Sequence, residues 1–187
     1  MTCRIGLARF LTVELHFVSP RLEELDALES EVLACSVWQD VRPCDGVAGL
    51  CDWRLAGKIS DLMRAGFLIG EVGEVVMLPG RPRLSFDKIL LFGAGPRKGF
   101  DESRYHRVMI HMLDCIQGLA SRIAVVQLPG RQSDLIKAER AADMLLEVVS
   151  RDRKRRHDVW TLIEDGNARR RIEQHMIEER RRIRRTE

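Results

Sequence analysis

"RPCDGVAGLCDWRLAGKISDLMRAGFLIGEVGEVVMLPG", residues 42–80, carries seven glycines, at 46, 49, 57, 66, 70, 73 and 80, around one short helical pattern and one strand. Residues 49–65 place Trp53, Ala56, Ile59 or Ser60, and Met63 on one helical face, with Asp52-Trp53 as a buried pair. Residues 74–78 are an apolar strand closed by Pro79-Gly80. Glycines at this density allow two readings. Either the backbone comes close to a phosphate or another ligand, or the loops are tightly turned.

Outward from this stretch, short apolar strands closed by glycine or proline recur at 5–18, 31–38, 87–92, 122–128 and 157–164. Helical patterns fill the gaps. Residues 20–30 follow Ser19-Pro20, a cap followed by a first helical position. Residues 101–119 bury Tyr105, Val108, Met112, Cys115, Ile116 and Leu119 on one stripe, with Asp101 and Glu102 in the first turn. Residues 133–150 bury Leu135, Ala138, Ala142, Leu145 and Val149 after a Ser133 cap. Residues 166–185 form a last helix with only Ile172, Met176, Ile177 and Ile183 to bury. Strands alternating with helices predict an α/β fold of three layers on a largely parallel sheet, with the N-terminal strand antiparallel at an edge.

The length of 187 residues suits one domain with a proper core, 5–165, followed by a basic C-terminal helix, 166–187. A hydrophobic share of 45% and a charged share of 32% read as soluble and globular, and aromatics at 5% leave the packing to aliphatic side chains. The apolar runs are far shorter than the ~20 residues that span a membrane. In "MTCRIGLARFLTVELHFV", Glu14 and His16 interrupt any signal-like apolar core and alternation favours a strand, so a cytoplasmic location is expected. The odd set of cysteines, 3, 35, 44, 51 and 115, agrees with reduced thiols. Residues 151–187 hold 13 Arg or Lys against 8 Asp or Glu, a mildly acidic body thus ending in a basic tail.

Three motifs carry candidate chemistry. "KILLFGAGPRKGF" sets Gly93, Gly95 and Gly99 between a buried strand and a helix. Its spacing departs from Gly-x-Gly-x-x-Gly by one residue and a proline, which favours a structural turn over a phosphate cradle. On the helix 101–119, His111 and Cys115 share an i, i+4 face, but Met112 and Ile116 mark that helix as core, and no metal or other cofactor is expected. Arg153, Lys154, Arg155 and Arg156, then Arg169–Arg171 and Arg180–Arg182, are candidate nucleic-acid contacts. The interleaved Glu164, Asp165, Glu173, Glu178 and Glu179 instead favour a solvated helix that pairs with itself, for example Glu178 with Arg182. There is no Gly-x-Ser-x-Gly and no Walker loop.

The order of these segments resembles the N-terminal, non-catalytic domain of the leucyl (cytosol) aminopeptidase family. The carrying elements are Pro43 and Gly46, Asp52-Trp53, Phe67 to Gly70 and Gly93-Ala94-Gly95, continuing through "RIAVVQLPG" and "AERAADMLLEVV", about residues 5 to 150. The resemblance implies a macro-domain-like fold, three layers on a mixed, mostly parallel sheet. In ligand-binding macro domains the corresponding glycine-rich loop and helix wrap a diphosphate. That makes Asp45, Gly46, Gly49 and Asp52, with Gly93 and Gly95, candidate contacts for a nucleotide or ADP-ribose. "SVWQDVRP" stands where those binders carry an Asn-rich strand end.

Catalysis in the resembling family belongs to a second domain, with two metals around an Asn-Thr-Asp-Ala-Glu-Gly-Arg signature. These 187 residues contain no such signature. The resemblance therefore implies a binding or interaction module that associates with itself or with another protein. Nucleotide binding is the alternative and nucleic-acid binding through the tail the second alternative, since the family includes DNA-binding members. No membrane partner is expected.

Overall fold

Apolar strands, most of them joined by helices, build a six-stranded sheet in the computed structural model, which describes residues 14–121, 123–151 and 159–186. The strands are β1 (Glu14–Val18), β2 (Ser30–Val37), β3 (Val75–Pro79), β4 (Phe86–Gly93), β5 (Ala124–Val126) and β6 (Val159–Ile163). The helices are α1 (Leu22–Ala27), α2 (Gly46–Arg54), α3 (Lys58–Arg64), α4 (Glu102–Gly118), α5 (Ala138–Arg151) and α6 (Gly166–Thr186).

The sheet order is β1-β6-β5-β2-β4-β3. All neighbours run parallel except β3, which is antiparallel to β4. This corrects the expected placing of the antiparallel strand at the N-terminus: β1 is an edge strand, but it pairs parallel with β6. The chain between β3 and β4 is too short for a crossover helix, so it can only turn back on itself.

Period-two alternation divides the core between the two faces of the sheet. Val32, Ala34, Leu90 and Phe92 pack under α4, α5 and α6 with Tyr105, Met112, Leu145 and Ile172. Leu33, Cys35, Ile89 and Leu91 face the other way onto α1, α2 and α3, through Leu25, Val47, Cys51 and Ile59. The three expected layers are present.

Three helices differ from expectation. The helix expected over 20–30 with Ser19 as cap and Pro20 as first helical residue is the shorter α1, whose N-cap is Arg21. The single helix 49–65 is broken between α2 and α3, because Ala56 and Gly57 both take positive φ, 56° and 81°. Trp53 lies off the buried face of α2, which is Val47, Ala48 and Cys51, and it is 75% exposed rather than buried. Ser133 caps nothing: it ends a 3-10 turn, Arg131–Ser133, and α5 starts five residues later.

Candidate functional site

From β2 the chain builds β4 and β3 on one side, then returns through α4 to lay β5 and β6 on the other. The order reverses between β2 and β5, and open α/β sheets bind ligands beyond the carboxyl ends of strands at such a point. Here Gln127 N–H still bonds Ala34 O at 2.9 Å, and just beyond it the loops after β2, β4 and β5 converge on the start of α2.

The crevice is occupied by the chain's own side chains. Asp45, immediately before α2, accepts from Gln132 Nε2 at 2.7 Å and from the Arg97 guanidinium. Gln127 Nε2 donates to Gln132 Oε1 at 3.0 Å. A Cβ on Gly46 would lie 2.1 Å from Gln132 Oε1, so the amide of Gln132 rests on the bare backbone where an anion would otherwise approach. The Asp45 carboxylate supplies the negative charge that the helix N-terminus favours. Arg97 also stands 5.6 Å over the Trp38 indole, and Trp38 meets Phe100 edge to face at 5.1 Å. Asp40 accepts from the Arg97 N–H at 2.7 Å, the main cause that holds its carboxyl below the usual range.

Beside this network lies a buried ion pair. Arg131 Nε and Nη2 donate to the two oxygens of Glu164 at 2.9 and 3.0 Å, and Arg131 Nη1 reaches Ile136 O at 2.7 Å. Burial is the first cause that raises the Glu164 carboxyl, opposed by Arg131. Around this network, Trp38 Nε1, Ser36 Oγ, Arg97 Nε and Gln127 Oε1 are buried with no hydrogen-bond partner among the described residues.

Of the six candidate ligand contacts, only Asp45 and Gly46 lie in this crevice. Asp52 sits at the far end of α2 and caps α3, accepting from Ile59 N at 2.7 Å, Ser60 N at 3.1 Å and Ser60 Oγ at 2.5 Å. Gly49 lets α2 close on the Cys44 carbonyl, 2.8 Å from where its Cβ would be. Gly93 and Gly95 receive the chain turn at Gly70-Glu71: a Cβ on Gly93 would stand 1.8 Å from Glu71 O, and Gly95 N–H bonds Gly70 O at 2.8 Å. Of the glycines of 42–80, Gly70 and Gly80 serve close chain crossings, whereas Gly57, Gly66 and Gly73 have open space around a would-be Cβ and serve positive-φ turns.

Sequence reasoning missed Trp38, Gln127, Gln132, Arg97, Arg131 and Glu164 as a group. A usable signal existed. Trp38, Gln127 and Glu164 each stand at or just past the end of a buried parallel strand, where side chains gather at a switch point.

An open groove of about 620 Å³ runs outside α2, lined by Pro43, Cys44, Gly49, Asp52, Trp53, Ala56 and Gly57. The Cys44 thiol is pushed up to about 11 by burial and then by Asp52, which keeps it protonated at neutral pH. His111, offered with Cys115 as a metal pair, packs its ring edge-on against Phe92 at 5.4 Å. Arg153, Lys154, Arg155 and Arg156 lie outside the described residues. On α6, Arg169 pairs with Glu173 and Arg171 with Glu139. Arg182 meets Glu179 rather than Glu178, and Glu164 is drawn away to Arg131. Among the described residues, no helix is long and apolar enough to cross a membrane.

Residues 37–154 match the model of the cytosol aminopeptidase family, N-terminal domain. The cytosol aminopeptidase of Pseudomonas aeruginosa is 28% identical over 103 residues, 55% of this chain and 21% of that protein. The chain thus spans about a fifth of the length of the curated relatives it matches. A tomato leucine aminopeptidase mutant superposes with TM-score 0.59 at 14% identity, over 87% of this chain and 35% of its own. A mutant of the Oceanobacillus iheyensis macrodomain with ADPR gives TM-score 0.64 at 14% identity, over 87% and 91%. At these identities the structures speak for the fold alone, which is macrodomain-like. On its match across residues 37–154, the chain belongs to the cytosol aminopeptidase family, through that family's N-terminal domain.

Proposed function

We propose that the chain is a non-catalytic, cytoplasmic interaction module of this family, joining copies of itself or another protein. The observation that carries this is a run of exposed apolar side chains along one segment beside the sheet edge: Phe67, Ile69, Val72, Val75 and Met77, with Phe67 68% exposed. Exposed apolar side chains gathered along one segment are a surface through which a folded protein can contact another macromolecule. The polar groups at the sheet's carboxyl end support the non-catalytic half, since Asp45, Arg97, Gln132, Arg131 and Glu164 hold one another. Among the described residues no three His, Cys, Asp or Glu side chains gather as metal ligands would. Sedimentation velocity from about 1 to 100 μM should show association, at a free energy of about −5.5 kcal/mol or better. Leucyl-p-nitroanilide with zinc or manganese should not be turned over. Turnover that tracks bound metal would overturn the non-catalytic half.

A nucleotide or ADP-ribose in the crevice is the second reading, favoured by the unpartnered Trp38 Nε1 and Gln127 Oε1. It requires Gln132 and Arg97 to leave Asp45. Titration with ADP-ribose then gives saturable heat with a Kd at or below about 100 μM, which Gly46→Glu removes. No heat at millimolar ligand ends this reading.

A further inference from the structure

β3 is an open edge of the sheet, with no strand beyond it among the described residues. Which of its main-chain groups face outward follows from two bonds. Gly93 N–H donates to Glu74 O at 3.0 Å, and Gly80 N–H donates to Asp87 O at 3.3 Å. Both pairs obey the β3–β4 register, in which Met77 stands opposite Leu90. In an antiparallel ladder bonded pairs recur every second residue, so the even positions from 74 to 80 are spent on β4. The odd positions Val75, Met77 and Pro79 therefore turn their main-chain groups to the open side. Two donors, the N–H groups of Val75 and Met77, and three carbonyls are presented there, because Pro79 has no N–H.

The side chains suit a partner strand. Val75 and Met77 are exposed, Met77 at 55%. The strand VVMLP contains no charge, and the device that blunts its edge is Pro79, which removes one outward N–H and leaves those of Val75 and Met77.

We propose that two copies of the chain pair antiparallel along β3, about a two-fold axis through Met77, joining two six-stranded sheets into one. The proposal rests on the self-association reading above and names its surface. In this register the whole of Val75–Pro79 overlaps. Met77 exchanges both bonds with the other copy's Met77, and each Val75 N–H meets a Pro79 carbonyl. Every outward donor is satisfied, and the missing proline N–H leaves a carbonyl short of a partner rather than burying an orphan donor. Val75 packs beside Pro79, and the two Met77 side chains meet on one face.

Charge selects the direction of pairing. Exposed Glu71 lies just before β3 and exposed Arg83 just after it. Antiparallel pairing brings the acidic end of one copy beside the basic end of the other, whereas parallel pairing would set like beside like.

The test uses single-residue variants of the full chain. Met77→Cys under mild oxidation should give a covalent dimer, because bonded antiparallel partners hold their Cα atoms about 5.5 Å apart, within disulfide reach. Val75→Cys alone should not cross-link, but mixed with Pro79→Cys it should, and the unsubstituted chain controls for native cysteines. Met77→Lys should weaken the dimer by about tenfold or more, with a Tm unchanged at dilutions where both chains are monomeric, since the side chain is exposed. If the chain dimerises yet Met77→Lys leaves the dimer intact and Met77→Cys gives no cross-link, the β3 surface is wrong and self-association stands. A chain that stays monomeric to about 100 μM overturns both.

Discussion

Arg131 and Glu164, 33 residues apart, meet in a two-pronged pair at 2.9 and 3.0 Å with each side chain 4% exposed. Arg131 opens the 3-10 turn after β5 and Glu164 directly follows β6, so the pair ties neighbouring loops across the carboxyl end of the sheet. Breaking a buried pair from one side leaves an uncompensated charge. Glu164→Gln should therefore cost about 3 kcal/mol, the lower part of the range because Arg131 keeps its bonds to Asp134 and Ile136. The double variant Arg131→Met, Glu164→Leu should cost less than the sum of the two single changes. Urea unfolding of all four forms measures the coupling, and strict additivity would contradict it.

A second prediction concerns pH. The Asp165 carboxylate caps α6, accepting from Asn167 N at 2.7 Å and Ala168 N at 2.9 Å. The bond from Ala168 is the first cause that sets its carboxyl below the usual value, with burial working against it. A depressed carboxyl stabilises the fold above the unfolded-state value, about pH 4, and that contribution disappears as the pH falls through the folded value. Asp165→Ala should cost about 1 kcal/mol at pH 7, and the gap from the natural chain should close below about pH 3. A gap of constant size across that window would refute the assignment.

The third prediction separates glycines that serve packing from glycines that serve only backbone conformation. At Gly93 an added Cβ would stand 1.8 Å from Glu71 O, so Gly93→Ala must move either β4 or the turn at 70–71. A loss of about 2–3 kcal/mol is expected, visible in urea unfolding without any ligand. Gly57 has nothing within 4 Å of its would-be Cβ and only its φ of 81° to defend. Gly57→Ala should cost nearer 1 kcal/mol. Equal losses at the two positions would show that crowding at Gly93 is relieved at little cost.

The sequence by itself determined the layers. Strand and helix periodicities are local consequences of which residues alternate, and they placed all six strands and most of the buried stripes of α4, α5 and α6 near their observed positions, although Leu119, Leu135 and Ile177, expected on those stripes, are exposed. The tail carboxylates Glu173 and Glu179 were legible as helix partners because i, i+3 and i, i+4 pairing is fixed by helical geometry alone. Only tertiary structure decided the rest. Whether Gly93 faces a phosphate or the turn at Gly70 depends on which chain segment crosses above it, and one glycine reads like another in sequence. Asp45 and Asp52 looked equivalent as candidate ligand contacts, yet Gln132 and Arg97 claim the first while the break at Ala56-Gly57 delivers the N–H groups of α3 to the second. Arg131 and Glu164 could not be matched before the sheet order placed β5 beside β6, because a pair spanning 33 residues leaves no local period to read.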